Sequence, residues 1–197
     1  MLNAVLFDLD NTLVDRDGAF RGCLQTLCLN PRARAELTGL DRGGRGDRGE
    51  LFQFWERHTG TAIDQSTFGH MIAGQLKPDC GLIIALENLA KVVKLGIITN
   101  GNGETQREKC QAAGLDQVIP AHRIWISGEI GIAKPDPGIF LLACQALGEN
   151  PEHCLFVGDN ENDDFLAAKN AGMRSCLVES ALNAGRLRSL LNRERSR

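Results

Sequence analysis

Asp8 and Asp10 follow four apolar residues, Ala4-Val5-Leu6-Phe7, and Asp159 follows Cys154-Leu155-Phe156-Val157-Gly158. Thr99-Asn100-Gly101 ends another apolar run, and Lys134 stands before Pro135. In extended chain, residues i and i+2 project from one face, so Asp8 and Asp10 can approach a single cavity. Carboxylates at close range repel and need a cation or a shared proton. Magnesium is the expected cation because it is hard and prefers oxygen ligands. The Thr99 hydroxyl, the backbone N–H groups of Asn100 and Gly101 and the Lys134 ammonium can then hold a phosphate. Thr12 can cap the following turn or steady the Asp8 loop through its hydroxyl. This donor set suits a magnesium-dependent phosphatase that works through an aspartyl-phosphate. Asp8 attacks phosphorus, and Asp10 protonates the leaving alcohol and later activates water.

Those groups need strand ends to hold them. Residues 4–7, 92–98, 124–126, 154–157 and 176–178 read as strands, the first an unbroken apolar run. Helical patterns alternate with them. Leu82, Leu86 and Leu89 share a face, residues 104–113 stop at Gly114, residues 138–147 stop at Gly148, and residues 163–171 stop at Gly172. Alternating strands and helices predict an α/β, Rossmann-like core of three layers with a mainly parallel sheet. Functional groups in such a sheet collect at the carboxyl ends of the strands.

Residues 16–77 have a different texture, without a strand pattern. Helical faces are expected around residues 19–29, 49–58 and 66–77. Between them, residues 38–49 contain five glycines, which disfavour continuous helix and predict a flexible loop. The domain division is therefore a core of residues 1–15 and 78–197 with a small all-helical cap of residues 16–77 inserted after the first strand, placed as a lid. Arg42, Arg45 and Arg48 read as solvated loop charges, with contact to an anionic substrate as the alternative. Phe20, Phe52, Phe54, Trp55, His58 and Phe68 read as internal packing. The chemistry needs neither His58 nor His70, which are taken as ordinary cap or surface residues.

The 197 residues are 43% hydrophobic and 24% charged, with a formal net charge of -3. That balance argues against nucleic acid or a membrane surface as the main partner. No apolar run approaches the roughly 20 residues that span a bilayer, and the start of the chain has no signal-peptide pattern. The seven cysteines, Cys28 among them, form no CxxC and suggest thiols in a reducing, cytoplasmic compartment. Leu182, Leu187, Leu190 and Leu191 predict a last helix packed on the core. Its arginines, Arg186, Arg188, Arg193, Arg195 and Arg197, read as a solvated end. A small phosphorylated metabolite is the expected partner, and monomer and homodimer are both open.

At this level of detail the chain resembles the haloacid dehalogenase-like hydrolase superfamily, in its phosphatase branch. The resemblance rests on Phe7-Asp8-Leu9-Asp10-Asn11-Thr12-Leu13, Ile98-Thr99-Asn100-Gly101, Gly131-Ile132-Ala133-Lys134-Pro135-Asp136-Pro137 and Val157-Gly158-Asp159-Asn160-Glu161-Asn162-Asp163-Asp164, in the family's order. It implies a C1-type helical cap and a site with Asp8 as nucleophile, Asp10 as acid–base, Thr99 on the phosphate and Lys134 beside both. Magnesium contacts are implied for Asp8, the Asp10 backbone carbonyl and Asp159. Alignment through Ala168-Lys169-Asn170-Ala171-Gly172-Met173 favours Asp164 as the supporting acid, with Asp163 as the alternative and Glu161 in either role or none. Sugar phosphomutase, haloacid dehalogenase and a catalytically inactive binding or regulatory protein are the competing readings. The acidic residue at position 10 disfavours a dehalogenase.

Overall fold

Ala4–Phe7 form β1, and all four residues are buried. The strand carries apolar side chains on both faces, as a central strand covered by two helical layers must. The structure, a computed structural model, describes residues 2–27 and 29–195. The expectations for Cys28 and Arg197, and for the side chain of Arg195, lie outside the described residues.

After β1 the chain makes four helices: α1 (Arg16–Thr26), α2 (Pro31–Asp41), α3 (Arg48–Thr59) and α4 (Gln65–Ala73). It then alternates through α5 (Cys80–Ala90), β2 (Lys94–Thr99), α6 (Gly103–Ala112), β3 (Ile124–Ile126), the short α7 (Ser127–Ile130) and α8 (Pro137–Leu147). Next come β4 (Cys154–Gly158), a π-helical turn (Glu161–Leu166), α9 (Ala167–Asn170), β5 (Arg174–Leu177) and α10 (Ala184–Arg195). The sheet has the order β3-β2-β1-β4-β5, and all its pairings are parallel. The Rossmann-like core with an inserted helical cap is thus as expected.

Alternation along the strands divides the core into two apolar layers. Val5, Phe7, Ile97, Leu155 and Val157 pack with Leu82 and Leu86 of α5 and Leu187 and Leu190 of α10. Ala4, Leu6, Ile98 and Phe156 pack with Ile139, Phe140 and Ala143 of α8 and Ala168 of α9. The cap has its own core, in which the Phe20 and Trp55 rings meet Phe68 edge-on. The aromatic residues therefore pack internally for the most part. Among the described residues no disulfide forms, and no helix is long and apolar enough to cross a membrane.

The structure corrects several expectations. Pro31–Asp41 is helical through Gly39, because Asn30 caps its start and Pro31 fits the first turn. The predicted loop shrinks to a turn at 42–47, where Arg42 and Gly43 take left-handed backbone. The expected strand 92–98 is shifted to 94–99, and that at 176–178 to 174–177. The expected helix 163–171 begins as a π-helical turn, since the Asn160 side chain accepts from the N–H groups of Asn162 and Asp163. His70 is a partly exposed cap residue, as expected, with a contact that the sequence does not show. Its Nδ1 contacts Glu108, joining α4 of the cap to α6 of the core.

The same contact surface makes Gly69 necessary. A Cβ there would lie 2.5 Å from Thr105 Cγ2 of α6. Gly69→Ala is expected to cost about 1–3 kcal/mol through overpacking, read by urea unfolding. Thr105→Ser removes that methyl but leaves Thr105 Cβ at 2.9 Å, so it should recover part of the loss in the double variant. Additive losses would show that the two helices are not in tight contact.

Candidate active site

The ends of β1, β2 and β4 adjoin in the sheet, and each delivers a polar residue to one place. Asp8 leaves β1 with its backbone N–H donating to Val157 O at 2.8 Å. Thr99 closes β2, and Asp159 follows β4. Asp8, Thr99, Lys134 and Asp164 are buried. Lys134 Nζ donates to Asp8 Oδ1 and to Asp164 Oδ1, both at 2.6 Å. Asn100 secures the lysine from the neighbouring strand end: its Oδ1 accepts from Lys134 N at 2.9 Å, and its Nδ2 donates to Lys134 O at 2.8 Å.

Oxygens of Asp8, Asp159 and Asp164 lie within 4.8 Å of one another. Three hard carboxylate donors at that spacing fit a hard divalent cation such as magnesium better than a soft one. Asp164 therefore stands in the acidic cluster itself, and its Oδ2 also accepts from Asn160 N at 3.0 Å. Gly158 makes room for it, since a Cβ there would meet Asp164 Oδ2 at 2.3 Å. Asp163 lines the same cavity but is turned to the neighbouring loop: its Oδ2 accepts from Asn160 Nδ2 at 3.1 Å.

Electrostatics follow from this crowding. Burial pushes the Asp8 carboxyl up to about 7, against the pull of Lys134, and Asp164 adds to the rise. Burial alone would lower the Lys134 ammonium, but Asp8 and Asp164 reverse this and hold it above its ordinary value. Burial also raises Asp159, opposed by Arg45. A cation among these acids would favour the ionised forms of Asp8 and Asp159.

Asp10 is held differently. Lys109 Nζ donates to its two oxygens at 2.9 and 2.7 Å, and Gln106 Nε2 donates to Oδ2 at 3.2 Å. Burial favours the neutral acid, but Lys109, then Arg16 and Gln106, outweigh it and hold the carboxyl below its usual range. Gln106 Nε2 also donates to Thr99 Oγ1 at 2.6 Å. Sequence reasoning missed Gln106 and Lys109. Their i, i+3 spacing on a helix directly after Thr99-Asn100-Gly101 was the available signal.

Three expectations are corrected here. The Gly101 N–H does not point at a phosphate, because it donates to Ser127 Oγ at 3.0 Å. The Thr12 hydroxyl caps nothing. It is buried without a partner, while backbone bonds to Leu9 O close the turn and the Thr12 carbonyl accepts from Leu182 N at 2.7 Å. Arg45 stays half exposed in its turn, yet neither it nor Arg48 is a merely solvated charge. Arg45 Nη2 reaches across from the cap to Asp159 Oδ2 at 2.5 Å, and Arg48 Nη1 donates to Asp41 Oδ1 at 2.8 Å. Arg42 is exposed, as expected.

Comparison with known proteins gives this geometry a context. A family model, the haloacid dehalogenase-like hydrolases, matches residues 2–172. N-acylneuraminate-9-phosphatase from Homo sapiens is 31% identical, over 88% of this chain and 81% of its own length. Glyceraldehyde 3-phosphate phosphatase from Methanothermobacter thermautotrophicus is 30% identical, over 92% of this chain and 88% of its own. Among solved structures, YfnB from Bacillus subtilis, crystallised bound to magnesium, superposes with a TM-score of 0.75 at 22% identity, covering 97% of this chain and 99% of its own. With its parallel core, its C1-type cap and its ordered motifs, the chain belongs to the haloacid dehalogenase-like hydrolase family.

Proposed function

We propose that this protein is a magnesium-dependent phosphomonoesterase that hydrolyses a small phosphorylated metabolite through an aspartyl-phosphate on Asp8. One observation carries the reading: Lys134 Nζ lies between Asp8 and Asp164, with Asp159 completing a cluster of acids around the nucleophile position. Asp8, Asp159 and the Asp10 backbone carbonyl would hold the cation, and Asp164 supports that site by orienting Lys134. The metal would supply charge neutralisation between the nucleophile and the phosphate.

The chain's own residues divide the remaining work. Asp8 attacks phosphorus in line with the departing oxygen, while Lys134 and the Thr99 hydroxyl offset charge on the transferred oxygens. Asp10 donates a proton to the leaving oxygen and then takes one from the attacking water. Ionised on Lys109, Asp10 is set for the second of these steps. The first requires its carboxyl to take up a proton and turn from Lys109 to the substrate. The names of both relatives support hydrolysis of phosphate esters over transfer or dehalogenation. The acid at position 10 supports it too.

The test is release of inorganic phosphate from acetyl phosphate and p-nitrophenyl phosphate, with magnesium and after chelation by EDTA. Chelation is expected to reduce turnover about 100-fold or more, with recovery on adding magnesium back. Folded, magnesium-loaded protein that releases no phosphate from a broad ester panel would instead be a binding protein.

A further inference from the structure

Two cavities meet at Asp10. One, of about 120 Å³, is lined by Asp8, Thr99, Lys134, Asp159 and Asp164. The other, of about 230 Å³, lies between the cap and α6, and Asp10 lines both. An acid that protonates a leaving oxygen must stand where the phosphoryl group joins the leaving group. The larger cavity is then the leaving-group site, a step that rests on the phosphatase reading.

Its walls carry three cations, Arg16, Arg48 and Lys109, and among its described lining residues Asp10 is the one carboxylate. Lys109 is committed to Asp10. Arg16 is buried and forks onto Asp41. Arg48 is different. It is held by Asp41 Oδ1 and by the Gly44 carbonyl at 2.7 Å, and it stacks 5.2 Å from the Phe68 ring centroid. Yet its side chain stays 27% exposed, and its planar fork has N–H donors to spare. A guanidinium fixed this way is preorganised for a planar anion. Asp41 is shared between the two arginines and Asp17 contacts Arg16 alone, so among the described residues Arg48 has no carboxylate to itself.

We infer that this cavity selects phosphomonoesters of small hydroxy acids, with Arg48 as the specificity residue that reads the leaving group's carboxylate. A three-carbon acid fits a cavity of about 230 Å³. Neutral polyols would leave the spare Arg48 N–H donors without an anionic acceptor in a partly desolvated wall.

Phosphate release from matched pairs tests this: 3-phosphoglycerate against glycerol 3-phosphate, and phosphoglycolate against 2-hydroxyethyl phosphate. The acid is expected to lead in kcat/KM by about ten-fold or more, as for a charged hydrogen bond. Arg48→Gln should shrink that preference to within about three-fold, mainly by raising KM for the acid. Arg48→Lys, which keeps the charge but loses the fork, should fall between. Arg16 still holds Asp41 in these variants, and circular dichroism checks that they fold. Equal kcat/KM for acids and alcohols, or a preference that survives Arg48→Gln, would overturn the inference while leaving the phosphatase reading intact. No release from any ester, acetyl phosphate included, would overturn both.

Discussion

Asp8→Asn is expected to reduce phosphate release on the order of 10⁴-fold or more, because an amide cannot form the acyl phosphate. The fold should survive, since the side chain keeps its size and the Asp8 backbone N–H still donates to Val157 O. The same variant reports on the buried charge. Asp8 titrates near 7 in the folded protein, well above the ordinary carboxylate value of about 4. A carboxyl raised on folding contributes stability that is fully present below its unfolded value and is lost as pH rises through the folded one. Metal-free wild-type protein should therefore lose stability between about pH 4 and 7 from this group. Asp8→Asn should remove that part of the slope and unfold later than wild type at pH 8 in EDTA. Thermal scans of both proteins across that range decide the point. Undiminished turnover by the variant would place the nucleophile elsewhere.

Residues at strand ends were legible in the sequence because local pattern alone places them. An unbroken apolar run buries β1 on both faces, so Asp8 must emerge where the run stops. The same holds for Thr99 at the end of β2 and Asp159 after β4. What escaped the sequence depends on tertiary packing. The face of α6 that carries Gln106 and Lys109 is polar and reads as solvated, yet it is buried against Asp10 and Thr99. Nothing local marks Arg45 as the residue whose side chain crosses from the cap to Asp159. Gly39 argued against helix at Pro31–Asp41, but the Asn30 cap and burial of Ala33 and Leu37 in the cap core outweigh one glycine. Alignment through residues 168–173 favours Asp164 over Asp163, and the π-helical turn, which shifts the helix phase by one residue, agrees with it. That turn leaves Asp164 facing Lys134 and Asp163 against Asn160.

Lys134→Met should be the most damaging single change to the metal-free fold. The ammonium is buried and bonded to two carboxylates at 2.6 Å, and methionine occupies a similar volume without its charge. Asp8 and Asp164 would then face each other with no counter-ion, and leaving buried charges unpaired costs about 3–5 kcal/mol. For a chain of this length that is a fall on the order of 10 °C in Tm. The defect has a direction in pH. Without Lys134 the folded protein takes up a proton between the two acids more readily, so the loss should be greatest near pH 8 and smaller near pH 5. Magnesium should narrow the gap to wild type, because a divalent cation shared by Asp8 and Asp159 offsets part of the same repulsion. Turnover should not return with stability, since Lys134 also faces the phosphoryl oxygens in the proposed reaction. Melting curves at both pH values, each with EDTA and with magnesium, separate these effects. A variant as stable as wild type at pH 8 in EDTA would mean that the acids at the ends of β1 and β4 do not share one buried field.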